Sequence, residues 1–123
     1  MQSESSGGAS NAACNLRAAL DRLDGDSELL SMLIAVYLED SVELLARLGA
    51  AMEIRDAPSA ERAAHSLKGL ASNFDAFSTV EAALAIETAA RQGDWPAAIA
   101  GLPPLEQEAS RLRQALTGYQ HRQ

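Results

Sequence analysis

Residues 27–54, SELLSMLIAVYLEDSVELLARLGAAMEI, decide what kind of fold this chain makes. Leu30, Leu33, Ile34, Tyr37, Leu44, Leu45, Leu48 and Met52 recur at spacings of three, four and seven. That spacing builds one continuous apolar stripe along an α-helix. The segment is bounded on both sides by stop and start signals. DGDS, residues 24–27, offers Asp26 or Ser27 as a helix cap, and RDAPS, residues 55–59, offers Asp56 as a cap with Pro58 in the first turn of the next helix.

Working outward, a short helix is predicted over Ala12–Leu23, and residues 1–11, small and polar, read as a flexible tail or linker. On the other side a helix is predicted over Pro58–Phe74. Ser78 followed by Glu81 has the capping-box spacing, so a further helix should start near Thr79 and stop at Gly93, after Arg91. GDWP, residues 93–96, restarts a helix at Asp94. Pro103 and Pro104 should kink or break it, because proline removes a helix hydrogen bond and its ring collides with the preceding turn. A last helical segment, Pro103–Leu116, carries Leu105, Ala109, Leu112 and Leu116 on one side, and residues 118–123 read as a C-terminal tail. Amphipathic helices joined by short connections, with no strand pattern, imply an all-α fold. The architecture expected over residues 12–117 is an antiparallel four-helix bundle with a short additional N-terminal helix and a Pro-kinked C-terminal helix.

Composition agrees and excludes several functions. With 123 residues, 47% of them apolar, the chain can bury a core as one domain without disulfides or metal. Aromatics at 4% and abundant Ala and Leu argue against strands. Ten Lys and Arg against 17 Asp and Glu would repel a phosphate backbone or an anionic membrane, so nucleic acid is excluded as the expected partner. No apolar run approaches the roughly 20 residues needed to cross a bilayer. The single Cys14 and the absence of a leader pattern favour a reducing, cytoplasmic setting.

The candidate site lies in AAHSLKGLAS, residues 63–72. On a helical wheel Ala60, Ala63, Ala64, Leu67, Leu70, Ala71 and Phe74 fall within about 60° of one direction, whereas His65 falls about 160° away. His65 is therefore an outward-facing histidine. Gly69, one turn along, costs roughly 1 kcal/mol in a helix interior relative to alanine, but it leaves the imidazole open to approach. Lys68 supplies positive charge nearby, which suits a phosphoryl group. An exposed histidine is by itself usually only a solvated side chain; the combination of His65, Lys68 and Gly69 is what points to function.

Those residues resemble the signature of histidine-containing phosphotransfer (HPt) domains, the phosphate-relaying modules of multistep two-component signalling. DGDSELLSMLIAVYLEDSVELLARLGAAM (24–52), RAAHSLKGLASNFDA (62–76) and ALAIETAARQGDWPAA (83–98) are similar to successive segments of the family, and the likeness spans about residues 15–117. The resemblance implies that His65 accepts a phosphoryl group from a receiver-domain aspartate and passes it to another receiver. It further implies that Lys68 neutralises the phosphoryl oxygens, that Gly69 clears space, and that Glu87 holds the far ring nitrogen. Arg91 matches a position that is often basic. Arg62, Lys68 and Arg91 would form a local basic patch opposite a receiver's acidic pocket, and Ser72 and Asn73 are weaker candidates for the edge of the docking face. A neutral imidazole is nucleophilic at one nitrogen when the other donates its N–H to a fixed acceptor, and a carboxylate is a good one.

No cofactor of its own is implied, and Mg²⁺ would sit on the partner receiver. The expected partners are response-regulator receiver domains and a hybrid sensor histidine kinase, in a bacterial cytoplasm, with this chain a monomer lacking kinase activity of its own. No glycine loop for a nucleotide is present. The alternative is a helical interaction module that docks signalling proteins without being phosphorylated. A bundle metalloenzyme fares worse, because the only other histidine, His121, lies in the polar C-terminal tail and the sequence has no Glu-x-x-His pair to supply metal ligands. One departure stands out: where the family usually has glycine ten residues after its histidine, this chain has Asp75, whose charge is unfavourable at a helix C-terminus although its backbone tolerates the left-handed region.

Overall fold

The computed structural model describes residues 12–123, and the expected N-terminal tail lies outside the described residues. Five helices form and the described residues contain no strand: α1 (Leu16–Arg22), α2 (Ser27–Glu53), α3 (Ala57–Ser72), α4 (Phe77–Arg91) and α5 (Trp95–His121). Helix α2 packs on α3 and α5, and α4 packs on the same two, closing an antiparallel ring of four with α1 against α2. The expected bundle and its short extra helix are both present.

The sharp turns come from one repeated local device. After α1, α2, α3 and α4 a residue adopts positive φ, namely Asp24, Arg55, Asp75 and Gly93. The next N–H then reaches back to a carbonyl of the last turn, as in Asp56 to Ala51 O (2.9 Å), Ala76 to Ala71 O (3.4 Å) and Asp94 to Ala89 O (2.8 Å). This is the Schellman pattern, which satisfies carbonyls that the helix end would otherwise orphan. Asp56 and Asp94 then serve at once as N-caps of the following helices, accepting from Ser59 N and Ala97 N, while Asp26 accepts from Leu29 N. Of the two caps offered for α2 it is Asp26 that serves, Asp56 caps α3 as expected, and the helix expected to restart at Asp94 begins at Trp95 with Asp94 as its cap.

Helix α3 runs Ala57–Ser72 rather than Pro58–Phe74, and four larger differences from the sequence expectation have identifiable causes. Helix α1 begins at Leu16 rather than Ala12, because Asn15 caps it by accepting from Ala18 N. The Ser78–Glu81 capping box does not form. Ala76, fully buried, is pinned by the Schellman turn and becomes the N-cap without a side-chain bond, so Ser78 already sits inside the first turn. Helix α5 is not broken at Pro103–Pro104 but runs unbroken from Trp95. Both prolines are exposed, as are Ile99 and Ala100, whose carbonyls lose their donors, so solvent can take those carbonyls. On the core side Ala98, Leu105 and Ala109 are buried, and Gly101 lets the helix lie against Ile86, where an added Cβ would stand 3.1 Å from Cγ1. Finally, α5 continues to His121 instead of ending near Leu116, since Tyr119 packs on the core and Gln120 pairs with Ser31 across to α2 (3.1 Å). Replacing Pro104 by Ala restores one helix bond and is expected to stabilise the chain by about 1–3 kcal/mol; the midpoint of urea unfolding checks it.

The core follows the predicted stripes. Leu30, Ile34, Tyr37 and Leu48 of α2 meet Leu67, Ile86, Leu105, Leu112 and Leu116 with no exposed surface. Tyr37 packs edge-on against Phe74, centroids 6.0 Å apart at 82°, and its hydroxyl donates to Ala109 O at 3.4 Å. Between α3 and α4 the buried side chains are mostly alanine (Ala60, Ala63, Ala64, Ala71 against Ala83, Ala89, Ala90). Small contacts let two helices lie close, and that proximity is what lets side chains of α3 reach acceptors on α4.

The unusual Asp75 is accounted for by α1. It takes φ 51° in the left-handed region, and Arg22 neutralises its carboxylate at 2.8 Å while donating to Asn73 O at 3.1 Å. Asn15 N–H adds a bond to Phe74 O at 2.8 Å. The charge that is unfavourable at the end of α3 is thus answered from another helix.

Candidate functional site

Glu87 is the centre of the site. It is the one buried charged residue among the described residues, on a turn of α4 flanked by buried Ile86, Ala83 and Ala90. Three side chains converge on its carboxylate. His65 Nδ1 lies 2.9 Å from Oε2, Lys68 Nζ donates to Oε1 at 2.8 Å, and the Arg91 Nη2 group donates to Oε2 at 3.2 Å. Arg91 also donates through Nε to Glu61 Oε2 at 2.7 Å, which links α4 back to α3.

The electrostatics settle the tautomer. Burial pushes the Glu87 carboxyl up, but hydrogen bonds from Lys68 and His65, with their charges, outweigh it and hold the group below the usual carboxylate range. Glu87 is therefore ionised at neutral pH and can only accept, so His65 Nδ1 must carry the proton and donate it. In the neutral ring the lone pair then belongs to Nε2, on an imidazole whose side chain is 65% exposed. Pairing with Glu61, and secondarily with Glu87, holds Arg91 more firmly protonated.

The predicted residues fall into two groups. His65, Lys68, Glu87 and Arg91 form one hydrogen-bonded cluster, and Arg62 lines the same shallow cleft of about 440 Å³, together with Pro58 and Glu61. Gly69 lies on the exposed surface one turn on, and a Cβ built there meets nothing within 4 Å. Ser72, by contrast, turns its hydroxyl back onto Gly69 O at 2.7 Å, and Asn73 offers its carbonyl to Arg22. Lys68 is not a free cation over the imidazole: it is tied to Glu87 and only 24% exposed, although an ammonium keeps two further donors. Glu61 escaped the sequence reading, yet its signal was there, one turn before His65 on the same stripe. A larger groove of about 480 Å³ between α2 and α3, lined by Leu44, Ile54 and Arg62 among others, lies away from Glu87. No cluster of His, Cys, Asp and Glu able to hold a metal is found among the described residues.

The antiparallel helical bundle thus presents one imidazole outward, with its inner nitrogen on a carboxylate of the next helix. The chain belongs to the Hpt domain family, whose model matches residues 32–116, and it is a histidine phosphotransfer protein of a phosphorelay. It is similar to histidine-containing phosphotransfer protein B (HptB) from Pseudomonas aeruginosa PAO1, known from a crystal structure. The identity is 26% and the TM-score 0.84, over 92% of this chain and 98% of that one. None of the curated proteins compared with the chain matches it. No helix among the described residues is long and apolar enough to cross a membrane.

Proposed function

We propose that Nε2 of His65 is the phosphoacceptor, taking a phosphoryl group from an aspartyl phosphate on one receiver domain and giving it to an aspartate on another. The observation that carries this reading is the exposed imidazole with Nδ1–H donated to buried, ionised Glu87. In the forward step the bond from phosphorus to the aspartate oxygen breaks and a bond to Nε2 forms. No proton has to leave, because Nε2 reacts through its lone pair. The ring becomes a cation at Nδ1–H, and Glu87 is already in place to balance it. The remaining demands are in-line positioning and charge neutralisation. Lys68 and Arg91 supply charge on this side, and Mg²⁺ bound to the receiver would supply it on the other. The upstream donor in this proposal is a hybrid sensor histidine kinase. The setting in this proposal is a bacterial cytoplasm, a reading supported by the family and by the Pseudomonas relative.

The test is transfer of labelled phosphate from purified phosphorylated receivers to the chain, with acid-labile label mapped to His65. Transfer that bypasses His65 would refute the assignment.

Two variants probe its surroundings. Lys68→Ala removes one of three donors to Glu87 and a nearby cation, and is expected to slow transfer about tenfold with the fold intact, since the side chain lies off the core; stopped transfer reactions and a thermal melt measure both. Gly69→Leu is expected to raise helix stability by up to about 1 kcal/mol, because the site is open, while slowing transfer by closing the approach to His65. Equal transfer rates for Gly69→Leu and the unaltered chain would remove the steric role.

A further inference from the structure

Glu61 makes the shortest contact in the cleft, 2.7 Å to Arg91 Nε. Its place follows from helix geometry: Glu61, His65 and Lys68 stand four and three residues apart on α3, and Glu87 and Arg91 stand four apart on antiparallel α4. Helical side chains lean toward the N-terminus, so His65 leans over the turn that carries Glu61.

The two carboxylates of the cleft are held differently. Glu87 is 6% exposed and accepts from three residues, whereas Glu61 is a third exposed and its cleft contact is Arg91. A phosphoryl group on Nε2 adds roughly two negative charges beside them. It then competes with a carboxylate for the same guanidinium. Glu87 cannot leave without stranding buried charge, but Glu61 can turn into water at little cost.

We propose that Glu61 is a positioning residue that holds the Arg91 guanidinium beside His65 in the unphosphorylated protein and yields Arg91 Nε–H to a phosphoryl oxygen of phospho-His65. The proposal rests on His65 being the phosphoacceptor. Arg91 keeps its bond to Glu87 throughout, so the guanidinium pivots on α4 and is already oriented when the phosphoryl group arrives. Glu61 acts as a stand-in anion, and by competing for Arg91 it limits the lifetime of the phosphohistidine and favours onward transfer.

Potassium phosphoramidate serves as the donor in the test: its P–N bond breaks, ammonia leaves, and a P–N bond to Nε2 forms. The lifetime of phospho-His65 is followed by ³¹P NMR, and the Arg91 Nε–H resonance by ¹⁵N NMR. Glu61→Gln is expected to lengthen the lifetime about threefold, the scale of one exposed ion pair, and to leave it unchanged when Arg91→Ala is already present. The Arg91 Nε–H resonance should move on phosphorylation of the unaltered chain and should already be shifted in Glu61→Gln before it. An unaltered lifetime in Glu61→Gln, or an equal lengthening with and without Arg91, would overturn the proposal, the latter by reducing Glu61 to simple repulsion. Failure of the unaltered chain to form phosphohistidine, or labelling of His65→Gln, would instead overturn the role of His65 itself.

Discussion

His65→Gln is expected to abolish phosphoryl transfer while leaving the bundle folded. The side chain is 65% exposed and hydrogen-bonds to Glu87, so removing the ring takes nothing from the core. Glu87 keeps Lys68 and Arg91 as donors, and the stability change should stay within about 1 kcal/mol. A glutamine amide offers no nucleophilic ring nitrogen, so no P–N bond can form at that position. Incubation with a labelled, phosphorylated receiver should give no label on the variant, and circular dichroism should give an unchanged helical spectrum and a melting curve near that of the unaltered chain. Label on His65→Gln at the normal rate would show that the phosphoacceptor lies elsewhere.

Glu87→Ala should be the most damaging change that leaves the imidazole in place. It removes the acceptor for Nδ1–H, frees the ring to choose the other tautomer, and deprives the phosphorylated ring of its counter-charge. A loss of about 10²-fold in transfer rate is expected, on the scale of losing a preorganised electrostatic partner. Glu87→Gln keeps a carbonyl acceptor for Nδ1–H but not the charge, so it should recover part of the rate. Stability should fall as well, by about 2 kcal/mol at neutral pH, since charge-assisted hydrogen bonds to a buried carboxylate are lost.

The pH dependence of that loss has a definite sign. The folded-state pKa of Glu87 lies below the ordinary value of 4.5. Its contribution is therefore present above the unfolded pKa and is lost as pH falls through the folded value. Urea unfolding of the unaltered chain and of Glu87→Ala should give curves that are well separated at pH 7 and converge in acid. A gap that persisted undiminished below the folded pKa would mean that Glu87 acts by packing rather than by charge.

Much of this was legible in the chain. The stripe from Leu30 to Met52, the outward angle of His65, the caps at Asp26 and Asp56 and the helix restart at Asp94 all depend on residues within a turn or two of one another, and all appear in the structure. Where local signals competed with packing, packing prevailed. Ser78 and Glu81 had the right spacing for a cap, but burial of Phe74 and Ala76 started the helix earlier. Pro103 and Pro104 had the chemistry of a helix break, but both face solvent while the buried side of α5 holds it against the core.

The sequence by itself determined the helices, their apolar faces, and a histidine that points away from the core with an open glycine beside it. What that histidine touches was implied only by the family resemblance, and the packing of α3 on α4 is what brings Glu87 to it. Helical periodicity is set along one chain segment, whereas the register of α3 on α4 is set by buried alanines from segments far apart, and that register brings Glu87 to His65 and Lys68, and Glu61 to Arg91. The same reason explains Asp75, which looked unfavourable at the end of its helix until α1 brought Arg22 to its carboxylate.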